Sequence, residues 1–119
     1  MRYFVSYARR DNSFERLHEI RELLRGDACE IYIDDLEDHQ PGDDRYQVVV
    51  NALTEADVFV AVESRHYLDT SWTRWEFETA LRMNVEMVAL SCDSSLVQSA
   101  DPRWPWLDYV VAGIDRIHQ

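Results

Sequence analysis

The run Val58-Phe59-Val60-Ala61-Val62 constrains the fold more than any other stretch of the 119-residue chain. Consecutive apolar residues, mostly β-branched or aromatic, leave no position that could face water. Such a strand must be covered on both faces, as a central strand of a parallel sheet is. The rest of the sequence fits around it. Tyr3 to Tyr7 reads as a short apolar strand. Asp11, Asn12 or Ser13 can cap a helix in which Phe14, Leu17, Ile20 and Leu24 recur at helical spacing, with Gly26 as its stop. Cys29 to Ile33 reads as a second strand that runs into the acidic turn Asp34-Asp35.

From Leu36 to Asp44 the chain is polar, with a Pro41-Gly42 turn signal. A helix is predicted over roughly Asp44 to Leu53, with Val48, Val49 and Ala52 facing inward. Another begins near Trp72, and Met87 to Leu90 reads as a fourth strand. Strands alternating with helices imply right-handed crossovers. The expected architecture is a flavodoxin-like three-layer α/β sandwich: a four- to five-stranded parallel sheet with helices on both faces. The tail stays open between a helix started by Pro105, carrying Leu107, Val110, Val111, Ile114 and Ile117, and a short fifth strand over Tyr109 to Ala112. Length, and the lack of repeats or a linker, predict a single domain over 1–119.

The net charge of -11 argues against binding a phosphate backbone, which needs a basic footprint. Every cationic side chain is arginine, since the chain has no lysine. Arginine's planar fork suits bidentate phosphate contacts, although codon bias explains the missing lysines equally well. No apolar run approaches a membrane span, and the start lacks a signal-peptide core, so a cytoplasmic location without membrane contact is expected. Cys29 and Cys92 lie in or at the end of apolar runs, and His18, His39, His66 and His118 lack ligand spacing. Neither a disulfide framework nor a metal is expected.

In an open parallel sheet, ligands bind at the carboxyl ends of the strands. Here those ends carry Ser6-Tyr7-Ala8-Arg9-Arg10, Asp34-Asp35, Glu63-Ser64 and Ser91-Cys92-Asp93. The helix from Trp72 starts on the same edge. It aligns Glu76 with Trp72 and Ala80 at i, i+4, i+8, on the side expected to face the protein, while Arg74, Glu78 and Arg82 form a solvated stripe. A carboxylate on the apolar side has two readings: a functional group, or the distal member of a Thr73-x-x-Glu76 capping box. Arg9 and Arg10 could hold an anion beside helix amides, or could be a solvated loop or a salt bridge to Asp11 or Asp35. Ser6 and Ser64 could bond a ligand's hydroxyls or simply cap.

Taken together, these segments resemble a Toll/interleukin-receptor (TIR) domain of the bacterial kind. The resemblance runs through Tyr3-Phe4-Val5-Ser6-Tyr7 with Arg9-Arg10-Asp11, then Ile31-Tyr32-Ile33-Asp34-Asp35 leading to Pro41-Gly42-Asp43. It continues through Asn51-Ala52-Leu53, Ala56 to Val62, Ser64, Tyr67-Leu68 and Ser71-Trp72, and ends in the Trp-x-x-x-Glu element of Trp72 and Glu76. It covers residue 2 to about residue 91; the last quarter matches poorly, and position 73 is Thr where many relatives have Cys. In enzymatic members this Glu cleaves the nicotinamide–ribose bond of NAD, so the resemblance implies that Glu76 is catalytic and NAD a substrate. It further implies that Ser6, Tyr7, Arg9, Arg10, Asp35, Ser64 and Trp72 border the dinucleotide. Self-association through TIR–TIR contacts would use the loop with Asp35, Pro41, Gly42 and Asp43, in bacterial defence signalling.

One glutamate can suffice for this chemistry. Ordinary glycosidases use a second carboxyl to protonate the leaving oxygen. The pyridinium of NAD departs as neutral nicotinamide and needs no acid, so what remains is electrostatic stabilisation of an oxocarbenium-like ribose. Trp72 would shape the apolar pocket, and Trp75 is assigned to the core. The 34–44 loop, acidic and without apolar anchors, is expected to be mobile in isolation and ordered by a neighbouring subunit. Two other readings share the fold: a non-enzymatic TIR–TIR interaction module, and a nucleoside deoxyribosyltransferase-like enzyme, against which the arginine pair argues. A phosphorylation receiver domain is excluded by the missing lysine.

Overall fold

The computed structural model describes residues 1–26, 30–93 and 96–99. Its sheet has the strand order β2-β1-β3-β4-β5, built from β1 (Arg2–Ser6), β2 (Glu30–Tyr32), β3 (Val58–Glu63), β4 (Glu86–Asp93) and β5 (Leu96–Ser99). The first four strands run parallel, with Ser6 beside Ala61 and Glu63 beside Ser91. This is the flavodoxin-like order, whose ligand crevice lies at the β1/β3 switch point. A fifth strand, Leu96–Ser99, joins the edge and runs antiparallel to β4, unlike the all-parallel sheet expected; the strand expected over 109–112 and the alternative tail helix lie outside the described residues. The reason is chain length: β4 ends at Asp93 and β5 begins at Leu96, too close for the crossover that a parallel pair requires.

The alternation of side chains in β3 builds two cores at once. Phe59 and Ala61 join Phe4, Val49, Leu53, Tyr67, Phe77 and Ala80 on one face, beneath α2 (Arg45–Glu55) and α3 (Ser71–Arg82). Val58, Val60 and Val62 join Val5, Leu17, Ile20, Ile33 and Leu90 on the other, beneath α1 (Phe14–Leu24). Each such fully buried aliphatic or aromatic side chain contributes about 1.5–3 kcal/mol relative to exposure. Phe4 stacks between Tyr32 and Phe59, which ties three adjacent strands together on the α2/α3 face.

Local chemistry sets the helix ends. Ser13 caps α1 by accepting from the Arg16 amide, and Asp44 caps α2 by accepting from the Tyr46 and Gln47 amides. The helix α1 ends through Arg25, and its stop does not use a left-handed Gly26 as expected; among the described glycines, positive φ occurs at Gly42. There Asp43 N–H donates to Gln40 at 3.1 Å, closing a Pro41-Gly42 turn whose φ of 89° suits glycine. Asn84, at φ 56°, ends α3, and the Val85 amide returns to the Ala80 carbonyl at 3.2 Å.

Candidate active site

Thr70 is the N-cap of α3; its hydroxyl accepts from the Thr73 amide. This overturns the capping-box reading, because Thr73 sits inside the first turn and Glu76 one turn deeper, out of reach of the helix's free amides. Glu76 is instead 4% exposed, facing the carboxyl end of β1. Ser6 Oγ donates to Glu76 Oε1 at 2.8 Å, and the Tyr67 hydroxyl donates to Ser6 Oγ at 2.7 Å. Burial pushes the Glu76 carboxyl up to about 8; the Ser6 hydrogen bond opposes this, Asp34's charge adds to it, and Trp72 opposes it.

Glu76 forms part of a cleft of about 380 Å³ whose wall also includes Val5, Tyr7, Arg9, Asp34, Arg45, Thr70, Trp72 and Thr73. Trp72 does not turn inward as its alignment with Glu76 and Ala80 predicted. It is 42% exposed at the start of α3, where its indole forms the cleft rim. Trp75, assigned to the core, is half-buried between the rings of Tyr46 and Trp72, at centroid distances of 5.0 and 5.2 Å. Of the stripe expected to be solvated, Arg82 is exposed, but Arg74 is half-buried and donates to the Leu68 carbonyl at 3.0 Å.

Opposite the indole lies a mesh of charges. Arg9 grips Asp35 through Nε at 3.0 Å and Nη2 at 2.7 Å, and the Tyr7 hydroxyl donates to the same carboxylate at 2.6 Å. Burial tends to raise Asp35, but the hydrogen bonds from Tyr7 and Arg9, with the charges of Arg9 and Arg45, outweigh it and hold the carboxyl below its ordinary range. Arg45, at the start of α2, pairs with Asp34, which also accepts from the Tyr32 hydroxyl at 2.6 Å and stands 3.3 Å from His39 Nε2. The salt-bridge reading of Arg9 therefore holds in this structure, with Asp35 as the partner. Arg10 is exposed and off the cleft wall.

The loop is less free than its polarity suggested. Asp34 and Asp35 anchor its start, and Leu36 packs against the α1-side core, the apolar anchor that the sequence reading missed. Pro41, Gly42 and Asp43 remain exposed.

The structure thus brings Glu76, Tyr7, Arg9 and Trp72 to one cleft, with Asp35 held at its edge. Ser6 is 1% exposed and off the wall, so its hydroxyl serves Glu76 and not a ribose. Ser64 lies elsewhere, beside Asp11. The Asp11 carboxylate accepts from the His66 amide and pairs with His66 Nδ1, both at 2.7 Å; burial tends to raise it, but these bonds and Ser64 bring it down to about 2. Arg45 and Tyr67 escaped the sequence reading. Arg45 was legible in principle as a cation one residue after a helix cap at the end of the site loop. Tyr67 gave no signal that separated a functional hydroxyl from a core ring.

Sequence and structural comparisons agree with this fold. A family model described as TIR domain matches residues 4–116, and the chain belongs to that family. Among solved structures it resembles the TIR domains in the activated Roq1 resistosome directly recognizing the pathogen effector XopQ. The identity is 19% and the TM-score 0.66, over 79% of this chain and 58% of that one. At that identity the likeness is one of fold, and the matched part spans less than two thirds of the Roq1 chain. No curated protein matches the sequence. Among the described residues, no helix is long and apolar enough to cross a membrane.

Proposed function

We propose that this domain cleaves the nicotinamide–ribose bond of NAD, with Glu76 as the catalytic residue. The observation that carries the reading is a carboxylate 4% exposed on the wall of an open cleft, at the ligand edge of the sheet, with an indole at the rim. The C1′–N bond breaks with its electron pair passing to the pyridinium nitrogen, which leaves as neutral nicotinamide. The cation developing at C1′ then meets the Glu76 carboxylate in a site of low dielectric, where one charge acts strongly. Water or the adenine end of the substrate captures the ribosyl cation, giving hydrolysis or cyclisation. The substrate's own positive ring favours the ionised carboxylate, so binding and deprotonation of Glu76 reinforce one another.

The diphosphate falls to Arg9 and Arg45 in this reading, in place of the adjacent pair Arg9-Arg10. Both guanidiniums line the cleft, and both are neutralised by Asp35 and Asp34 of one loop. An incoming diphosphate must displace those carboxylates. A neighbouring subunit that draws the 34–44 loop outward would release them, which gives self-association a direct route to activity. Membership of the TIR family supports reading the chain as a signalling domain that works through assembly, and we extend that reading to defence. The same internal pairing favours a second reading, a non-enzymatic module that acts through TIR–TIR contacts alone. Incubating concentrated protein with NAD, with mass spectrometry of the products, separates the two: nicotinamide release that disappears in Glu76→Gln supports the enzyme. No turnover at any concentration supports the module.

A further inference from the structure

Glu76 is the end of a chain of hydroxyls, and the chain begins at a residue that cannot reach a substrate. Tyr67 is 0% and Ser6 1% exposed, and neither borders the cleft. Tyr67 donates to Ser6, and Ser6 donates to Glu76, so the turn Tyr67–Asp69, the end of β1 and the middle of α3 meet through two hydrogen bonds of 2.7 and 2.8 Å. We propose that Tyr67 is a positioning residue: by occupying Ser6 Oγ as a donor, it directs the one Ser6 proton onto Glu76, favours the charged form of that carboxylate and aims it at the cleft. The inference rests on Glu76 being the reacting carboxylate.

The argument starts from the chemistry of a serine hydroxyl, which holds one proton and rotates to suit its surroundings. A donor arriving at Oγ occupies one of its two lone pairs and polarises the O–H toward its own acceptor. For this the arriving donor must never lose its proton. Burial raises the Tyr67 phenol well above its ordinary range and Glu76's charge adds to the effect, against the lowering by Ser6, so the ring stays a donor wherever the protein is folded.

Tyr67 is also held from several sides. Its carbonyl accepts from the Thr73 hydroxyl, its amide donates to Ser64 O at 3.3 Å, and the preceding His66 is fastened to Asp11. Thr73 thus has a task that its reading as a cap did not suggest.

The other groups around Glu76 do not replace this relay. Asp34, from the turn after β2, opposes ionisation, while Trp72 on α3 assists it. Tyr7 and Arg9 from the end of β1 are committed to Asp35, and Arg45 from α2 is committed to Asp34.

The test is a carbon NMR titration of the Glu76 side-chain carboxyl in the full chain, beside the pH dependence of nicotinamide release. Ser6→Ala should raise the midpoint by about one to two pH units, the value of a hydrogen bond to a charged group. Tyr67→Phe should raise it by a few tenths of a unit, roughly what cooperative strengthening of one bond provides. The acidic limb of the rate profile should move by the same amounts. In the unmodified protein, the Tyr67 hydroxyl proton should exchange slowly and shift as Glu76 titrates, a readout that needs no variant. Unmoved midpoints with rates depressed at every pH, or a Tyr67 proton indifferent to the titration, would overturn the relay. Shifted midpoints in a protein that never cleaves NAD would uphold the relay and sink the glycohydrolase reading.

Discussion

Ser6 and Glu76 stand 70 residues apart in sequence and 2.8 Å apart in space, Oγ to Oε1. The contact joins the carboxyl end of β1 to the interior of α3, and it removes Glu76 from service at the helix N-terminus. A carboxylate capping its helix would be held by backbone amides. This one is held by a side chain at the switch point of the sheet.

Replacing Glu76 by Gln keeps size and hydrogen bonding and removes only charge. Nicotinamide release should fall by a factor on the order of 10²–10³ or more, as for loss of a single preorganised electrostatic group. Circular dichroism should show an intact fold. A variant that turns over NAD at the parental rate would rule out Glu76 as the stabilising charge.

The same substitution should change how stability depends on pH. The folded carboxyl binds its proton up to about 8, whereas the unfolded group releases it near the ordinary 4.5. Between those values the folded state holds more protons, so its stability falls as pH rises, and levels off above about 8. Glu76→Gln should therefore match the parent near pH 4.5 and exceed it at pH 8. Thermal melts of both proteins across that window provide the check; equal melting shifts at both ends would count against a buried, proton-retaining Glu76.

Arg9→Ala and Arg45→Ala should each weaken NAD binding, seen as a rise in KM on the order of tenfold with a steeper effect at low salt, while Arg10→Ala should leave KM unchanged. Steady-state kinetics at two ionic strengths decides the matter. Losses at Arg9 and Arg10 with none at Arg45 would return the diphosphate to the adjacent pair.

Activity per molecule should rise with protein concentration if association frees the two arginines. Gly42 tests the loop specifically. A Cβ there meets no atom within 4 Å, but the φ of +89° strains any side chain. Gly42→Val should thus rearrange the exposed turn at a local cost of about 1–3 kcal/mol and flatten the concentration dependence. Specific activity across a dilution series, beside light scattering, measures this. A variant that assembles and responds to dilution like the parent would remove the turn from the interface.

Much of the fold was legible because the apolar pattern has only one good solution. The β3 run demands cover on both faces, and the periodicities of α1 and α2 supply it, so layering and core followed. Helix caps at Ser13 and Asp44 and the Pro41-Gly42 turn were equally local. Glu76 could be singled out because a carboxylate aligned with Trp72 and Ala80 is anomalous in any helix.

What the sequence alone determined is the first four strands and their helices, their layering, and the edge at which a site was to be sought, since these depend on periodicity and on residues near one another in the chain. Only tertiary structure decided the partners. Whether Thr70 or Thr73 caps α3, whether Arg10 or Arg45 joins Arg9, and whether Ser6 turns to a ribose or to Glu76 depend on distances between side chains brought together from separate strands and helices. Direction of a side chain about its own bonds, and the burial that lifts Glu76 toward neutrality, exist only once the sheet has closed beneath it.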